Sequence, residues 1–571
     1  MDYIYKILAV LTKKNKAALI FIAFLSIVKT IIEIVGIGLL IPILSILSNA
    51  ETKNQILFYF PFLKESNETQ IILFFIILFI FFYLIRTAYI IFFNIFSAKY
   101  FHNLYAELAE KLLKKYLNNK FIFFTQNNPA NLVANIATET NGFAIGSVAA
   151  CMTIVSNLIF FLAICSLLIF YNYNFIFVII ILFFVCTAVV NFSKKKFTKW
   201  GQLRYSESIK MVQKLNEVIG SVKEVILYNK KDFFVNQITQ PLKNFSKASV
   251  YKDSFTSITS PFIEFVTVIV FFIFFLFLVF YTQKNFDEII IILGICSYSS
   301  IRVLPNLIAI TRAIQLLRFN FPAINIIYDN LNKNKNEKNF NKSIIQNINQ
   351  IVFNKVDFIY PKKEHPTLEN VNFKISAADK IGIIGETGSG KTTLVNLMSG
   401  LLLPTNGKII INSSKILNSR KFKLNIGYVS QSVYIADDSI LFNITLSDEI
   451  SNIKINVISN ILKALNLNNF NNKKDINKTL GHRGLKMSGG QIQRIGIARA
   501  LYRQPSLLIL DEATNALDEK TENKILDYLF KEFKDKIIIF CTHKKKLLKY
   551  CNKIIEVKNR KVTLVQNKIF I

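Results

Sequence analysis

At 571 residues, 52% hydrophobic and with 53 phenylalanines, the chain is too long and too apolar for one soluble domain, so a membrane part and a globular part are expected. The formal net charge of +32 is spread along loops and linkers and carried mostly by lysine, which argues against nucleic acid as a partner and fits a multi-pass protein with positive cytoplasmic loops. Six cysteines, four of them in apolar stretches, make neither a disulfide framework nor a metal-ligand pattern.

Residues 1–16 hold several lysines and no cleavage-site pattern, and read as a cytoplasmic lead-in. Six apolar segments follow, near 17–47, 71–97, 143–171, 174–192, 259–281 and 287–311, each long enough to cross roughly 30 Å of hydrocarbon. Their even number returns the chain to its starting side. The long connections at 98–140 and 193–255 carry Lys114-Lys115 and Lys194-Lys195-Lys196, so the positive-inside rule places them in the cytoplasm. Ionisable residues at membrane depth point to function. Arg86 and Arg302 each lie about 15 residues from the outer start of their span, roughly 22 Å down at 1.5 Å per residue. They are the substrate candidates, set against a role in pairing with Glu33 or Glu264 or in snorkelling to the interface. Lys29 and Glu33 are further intramembrane charges. The stretch Gln55–Leu63 is too short to span and reads as an interfacial helix or as ordinary loop packing. A linker rich in Asn and Lys, at 329–350, separates a membrane domain (1–328) from a globular domain (351–571).

In the globular domain, the apolar run Lys380–Ile384 leads into Gly385-Glu386-Thr387-Gly388-Ser389-Gly390-Lys391-Thr392, which fits G-x-x-x-x-G-K-[ST] at every fixed position, and Thr393–Met398 has helical character. This strand, loop and helix form a phosphate cradle. Glycines let backbone N–H groups close on an anion at the positive end of the helix, Lys391 reaches the β- and γ-phosphates of ATP, and the Thr392 hydroxyl ligates Mg²⁺. Downstream, the apolar run Ser506–Leu510 ends in Asp511 and Glu512, at the edge where a parallel sheet presents its strand ends. Asp511 suits the metal and Glu512 the attacking water.

Between these lies Met487-Ser488-Gly489-Gly490-Gln491, which resembles the LSGGQ signature of ABC transporter ATPases, with a volume-conserving Met487 for leucine. The resemblance covers about 351–571. Gln431 in Tyr428-Val429-Ser430-Gln431 looks like the Q-loop, Asn515-Ala516-Leu517-Asp518 like the D-loop, His543 like the H-switch and Tyr360 like the aromatic residue stacked on adenine. The resemblance implies two ATP molecules closed between the cradle of one chain and the signature of another, hence a homodimer. It places Ser488, Gly489, Gly490, Gln491 and Asp518 at the ATP bound to the opposite Gly385–Thr393 segment. It also gives Glu512 the water, His543 the γ-phosphate, and Gln431 the link between Mg²⁺ and the membrane half.

The whole plan resembles the half-transporters of the ABC exporter class: an all-α six-helix transmembrane domain followed by an α/β P-loop nucleotide-binding domain, in the bacterial inner membrane with the ATPase cytoplasmic. Phe124–Pro129 and Gly220–Asn229 look like its two coupling-helix regions. Gly481-His482-Arg483-Gly484 departs from the usual Gly-Glu-Arg-Gly string, His482 reading as a solvated loop histidine. Ile32-Glu33, Pro42, Ile85-Arg86, Phe124-Thr125-Gln126 and Arg302-Val303-Leu304-Pro305 resemble the lipid-linked oligosaccharide flippase of bacterial protein N-glycosylation. That implies ATP-driven flipping of a polyprenyl-pyrophosphate glycan from the cytoplasmic to the periplasmic leaflet. The alternative is an ABC exporter of another lipid such as lipid A, or of drugs or peptides. From other classes, an ATP-gated channel remains, while six apolar spans oppose a soluble mechanical or DNA-repair ATPase.

Overall fold

The computed structural model describes residues 2–38, 68–171, 173, 175–281, 286–332, 343–361, 363–413, 415–417, 422–447, 454–467, 476–481 and 484–566. Pro42, the stretch Gln55–Leu63 and His482 lie outside them. The chain divides into two compact units, Met1–Asn119 with Phe124–Glu337, and Lys120–Phe123 with Lys338–Ile571.

The first unit is helical. A short helix α1 (Asp2–Val10) precedes α2 (Lys13–Gly38), α3 (Glu68–Leu117), α4 (Ala149–Tyr171), α5 (Phe175–Gly220), α6 (Lys231–Tyr281), α7 (Phe286–Phe319) and α8 (Phe321–Asn332). Among the described residues, six helices are long and apolar enough to cross a membrane. At 50, 46 and 51 residues, α3, α5 and α6 are roughly 70–75 Å long at 1.5 Å per residue, over twice the hydrocarbon thickness, so each continues well beyond its span. Pro241, Pro261 and Pro305 sit inside helices; for Pro261 and Pro305, which fall in the apolar segments, packed neighbours make such breaks tolerable in membrane spans. α5 packs along α6, α7 along α4, and α2 against α3 and α4. Their apolar centre gathers Phe161, Ile164, Phe175, Phe274, Val303 and Leu307. Outward-facing Leu84, Phe184 and Phe265 are exposed, as a lipid-bathed surface requires. Two short helices, Phe121–Gln126 and Val222–Leu227, stand between the long ones where the coupling-helix regions are expected.

Ahead of α4 the backbone is irregular. Asn128 caps the helix Pro129–Ala134 through its side chain, accepting from the Ala130 N–H with proline at the first helical position. The next residues wind as two π-helical segments, Asn135–Glu139 and Gly142–Val148. Here Glu139, almost fully buried, pairs with Arg204 of α5 at 2.9 Å. Gly201, one turn earlier on α5, lies against the end of α7: a Cβ there would stand 2.1 Å from the Phe319 carbonyl oxygen.

The second unit holds a six-stranded and a four-stranded sheet. With β1 (Gln350–Phe358), β2 (Leu368–Ser376), β3 (Lys380–Gly385), β4 (Asn406–Ile411), β5 (Lys415–Ile416), β6 (Ile426–Val429), β7 (Leu507–Asp511), β8 (Ile537–Cys541), β9 (Lys553–Lys558) and β10 (Lys561–Gln566), the orders are β10-β9-β3-β8-β7-β6 and β2-β1-β4-β5. A further parallel pair, Ser343–Ile345 with Phe422–Leu424, begins inside the expected linker. The central strands are buried on both faces: Leu507, Ile509, Ile537 and Ile539 face one apolar cluster, Leu508, Leu510, Ile538 and Phe540 the other. That two-sided burial is why these strands read as unbroken apolar runs. Helices α9 (Lys391–Met398), α10 (Gly489–Tyr502) and α11 (Glu519–Glu532) follow the cradle, the signature and the D-loop.

Candidate functional site

β3, β8, β7 and β6 run parallel and adjacent, so their carboxyl ends share one edge of the sheet. The cradle follows β3, His543 follows β8, Asp511 ends β7 with Glu512 next, and Gln431 follows β6. Sheet order thus gathers residues that are far apart in sequence.

Gly385 has φ +150° and a Cβ there would stand 2.3 Å from the Val557 carbonyl oxygen, so only glycine fits the turn. Gly390, at φ +110°, caps α9 in a left-handed conformation. Glu386, Thr387, Gly388 and Thr392 are exposed around the loop. The Lys391 ammonium donates to the carbonyls of Gly385 and Glu386 and lies 3.2 Å from His543 Nε2. Ser389 Oγ is buried with no hydrogen-bond partner among the described residues, an orphan that a phosphate oxygen would satisfy. Thr393 is buried behind the loop, its Oγ1 3.2 Å from the Tyr360 hydroxyl, and the Tyr360 ring stands edge-on to Phe358.

Glu512 has φ +51°, a left-handed backbone uncommon for a non-glycine residue, and its N–H donates to the Cys541 carbonyl. Its Oε2 accepts from Gln431 Nε2 at 2.9 Å and from Asn515 Nδ2 at 3.0 Å, while Oε1 is 3.9 Å from His543 Nε2. Lys391, His543, Glu512 and Gln431 therefore form one linked set. Asp511 Oδ2 accepts from the Tyr428 hydroxyl at 3.2 Å. Burial, then the Asp511 charge, pushes the Tyr428 pKa well up, so its hydroxyl stays a donor. Burial also raises the Asp511 carboxyl, against the lowering effect of that bond. The Thr392 hydroxyl, an Asp511 carboxylate oxygen and the Gln431 amide oxygen are hard donors of the kind Mg²⁺ takes beside phosphate, so this donor set fits the metal.

The signature builds a capping box: Ser488 Oγ accepts from the Gln491 N–H, and the Gln491 side chain accepts from the Ser488 N–H at 2.9 Å. Ser488 and Gly489 are exposed, and Met487 packs against the apolar cluster beneath. Asp518 caps α11, and the Thr521 N–H holds its exposed carboxyl below the usual range.

Sequence reasoning missed Tyr428 and Asn515 as contacts of the two carboxylates. The strand period puts Ile509 and Asp511 on one face, but Tyr428 joins that face only through its pairing with Ile509 across the sheet, which the sequence does not reveal. Asn515 lies three residues after Glu512, in a turn whose geometry no periodicity reveals.

In the membrane unit, the Arg86 and Arg302 guanidinium carbons lie 5.0 and 5.6 Å from the centroid of one ring, that of Tyr83. The two sequence candidates thus meet at one level, from α3 and α7. Arg86 also pairs with Glu33 of α2 at 3.6 Å, both side chains being mostly buried, so the pairing role and the shared level coexist. Lys29 lies over the Phe93 ring.

Residues 19–302 match the ABC transporter transmembrane region, and residues 368–515 the ABC transporter family. A putative export ATP-binding/permease protein of Rickettsia bellii is 37% identical over 211 residues, 36% of either chain. An ATP-dependent lipid A-core flippase of Wigglesworthia glossinidia brevipalpis is 34% identical over 236 residues, 40% of either chain. Each of these matches spans less than two thirds of the relative's own length. The lipid A-core flippase of Pectobacterium atrosepticum is 23% identical over 459 residues, 80% of this chain and 78% of that one. Among solved structures, a bacterial Atm1-family ABC exporter with ATP bound has the same fold, with a TM-score of 0.77 at 15% identity over 97% of this chain and 95% of the other.

Proposed function

We propose, from the premise that this chain is an ABC exporter half-transporter, that two copies hydrolyse ATP at paired composite sites to move an anionic lipid across the bacterial inner membrane. The observation that carries the ATPase reading is the linked set of Lys391, His543, Glu512 and Gln431 at one sheet edge. Glu512 Oε1, left open by the two amides on Oε2, orients the water that attacks the γ-phosphorus. His543 and Lys391 lie on the phosphate side and stabilise charge on the equatorial and bridging oxygens. Positioning and charge stabilisation do most of the work in phosphoryl transfer. Thr392, Asp511 and Gln431 would hold Mg²⁺, which when bound would supply positive charge beside the phosphates. The exposed Ser488, with Gly490, completes the site of the second copy. The Gln431 bond to Glu512 ties the base to the segment after β6, through which hydrolysis is coupled to the membrane half.

The cargo reading is a glycolipid of the lipid A type, supported by the similarity to lipid A-core flippases over most of the chain and by two guanidinium groups converging on Tyr83 at membrane depth. Guanidinium groups stay charged and bind phosphate oxygens bidentately. A polyprenyl-pyrophosphate oligosaccharide is the second reading, favoured by the same arginines, since a pyrophosphate brings neighbouring anionic groups to one level. Reconstitution into liposomes with fluorescent lipid A-core and, separately, a fluorescent polyprenyl-pyrophosphate oligosaccharide decides between them. Flipping of the first alone supports the lipid A reading, flipping of the second alone supports the oligosaccharide, and ATP-dependent movement of neither overturns both.

A further inference from the structure

Away from the nucleotide site and from the arginines on α3 and α7, the cytoplasmic ends of two spans carry an unusual surface. Lys194, Lys195, Lys196 and Lys199 of α5 are all exposed. α5 begins at Phe175 on the outer side, and roughly 20 residues at 1.5 Å each cross the hydrocarbon, so these lysines stand at the level of the inner-leaflet phosphates. Lys196 Nζ lies over two rings, 4.3 Å from the Phe192 centroid on its own helix and 5.8 Å from Phe255 on α6. Just below, Trp200 stacks on Tyr251 of α6 at 5.6 Å and 26°, and Phe197 meets Phe255 edge-on. Tryptophan and tyrosine favour this depth because one part of the ring system is apolar and the other polar. Outward from the lysines, Phe184 and Phe192 on α5 and Phe262 and Phe265 on α6 are exposed along the spans. The acid at this end of α6, Asp253, is paired with Lys252 at 2.8 Å, so the patch keeps a strong positive balance.

An ammonium held on two ring faces is positioned with N–H groups left to donate to an anion. An apolar strip that runs into such an ammonium matches a molecule with a phosphate head and a hydrocarbon tail, in that order and at that depth.

We propose that the α5–α6 surface binds an anionic phospholipid of the cytoplasmic leaflet, its phosphate on Lys196 and the flanking lysines and an acyl chain along Phe192 and Phe262. This lipid is a resident of the protein and is distinct from the transported cargo, which the reading above assigns to α3 and α7. Trp200 is the chain's single tryptophan, so its emission reports this patch alone. The full-length protein is placed in phosphatidylcholine nanodiscs containing phosphatidylglycerol, without nucleotide. Quenching of Trp200 is compared when bromine is carried on the acyl chains of the phosphatidylglycerol or, at equal mole fraction, on those of the phosphatidylcholine. Brominated phosphatidylglycerol is expected to quench at least about threefold more strongly. The ratio falls to one in K194Q/K195Q/K196Q/K199Q, is retained in K196R, and is unchanged in K230Q/K231Q, which alters exposed lysines in another part of the chain. Equal quenching by the two lipids in the wild type overturns the proposal. So does a preference that survives the fourfold substitution, or one that K230Q/K231Q removes equally well. Because the readout needs neither ATP nor transport, its failure is separate from any failure of the flipping assay.

Discussion

Two amides converge on a single oxygen of Glu512, and that arrangement makes the carboxylate's orientation depend on Asn515 as well as on Gln431. Asn515→Ala is therefore expected to lower kcat by about tenfold with KM for ATP little changed, the size of one hydrogen bond to a charged acceptor. Steady-state ATPase measurements check it, and a rise in KM with unaltered kcat contradicts the positioning role. Glu512→Gln is expected to go further, binding ATP and trapping two chains detectable by cross-linking while turnover nearly stops, whereas Lys391→Ala is expected to abolish ATP binding or turnover; near-normal turnover in Glu512→Gln contradicts its role as the base. Tyr428→Phe removes the donor on Asp511. Loss of a partner that orients a metal ligand typically weakens the metal about 10–100-fold. Mn²⁺ binding followed by electron paramagnetic resonance, with ATP present and Glu512→Gln in the background, is expected to weaken accordingly. At this scale the sequence named residues that the sheet edge brings together, because glycines, a lysine and strand-end carboxylates at fixed spacing have few other uses. The bonds that hold Asp511 and Glu512 were not legible, since they depend on which strand lies beside which.

Among elements, the signature helix illustrates how much local chemistry a short motif carries. Ser488 and Gln491 form the capping box that starts α10, so the residues expected to meet a second chain's phosphate also fix the helix beneath them. Ser488→Arg should disable the nucleotide site of the opposite chain. Mixed with Lys391→Ala chains, it should give dimers with one intact composite site and more ATPase activity than either pure variant; no gain in the mixture argues against sharing in trans. The packing at Gly201 is a second element-scale constraint. Gly201→Ala forces a methyl group against the Phe319 carbonyl and should destabilise the membrane unit by about 1–3 kcal/mol, read as a lower thermal midpoint. Spans and parallel strands were visible as apolar runs. The π-helical segments were not, because one inserted residue leaves the composition of a span unaltered.

For the whole molecule, the apolar first half already implied a multi-pass membrane protein with a globular second half. What the sequence left open was cargo, because the residues that would read it are a few side chains from separate helices. If the Tyr83 cluster receives a lipid phosphate, Arg86→Gln with Arg302→Gln slows flipping by about tenfold while basal ATP hydrolysis changes little. Parallel loss of folded yield and ATPase would instead mark the cluster as structural, a role consistent with the Arg86–Glu33 pair. The two π-helical segments between Pro129 and Tyr171 have a mechanical consequence of their own. Each stores about one residue more than the α-helical path requires, and one residue corresponds to 100° of rotation and 1.5 Å of rise. Were one segment to anneal to a regular α-helix, the helix on one side of it would swivel by about a quarter-turn relative to the other with its backbone hydrogen bonding preserved. This rod can thus act as a detent, changing which face its lower end presents in a discrete click rather than by bending.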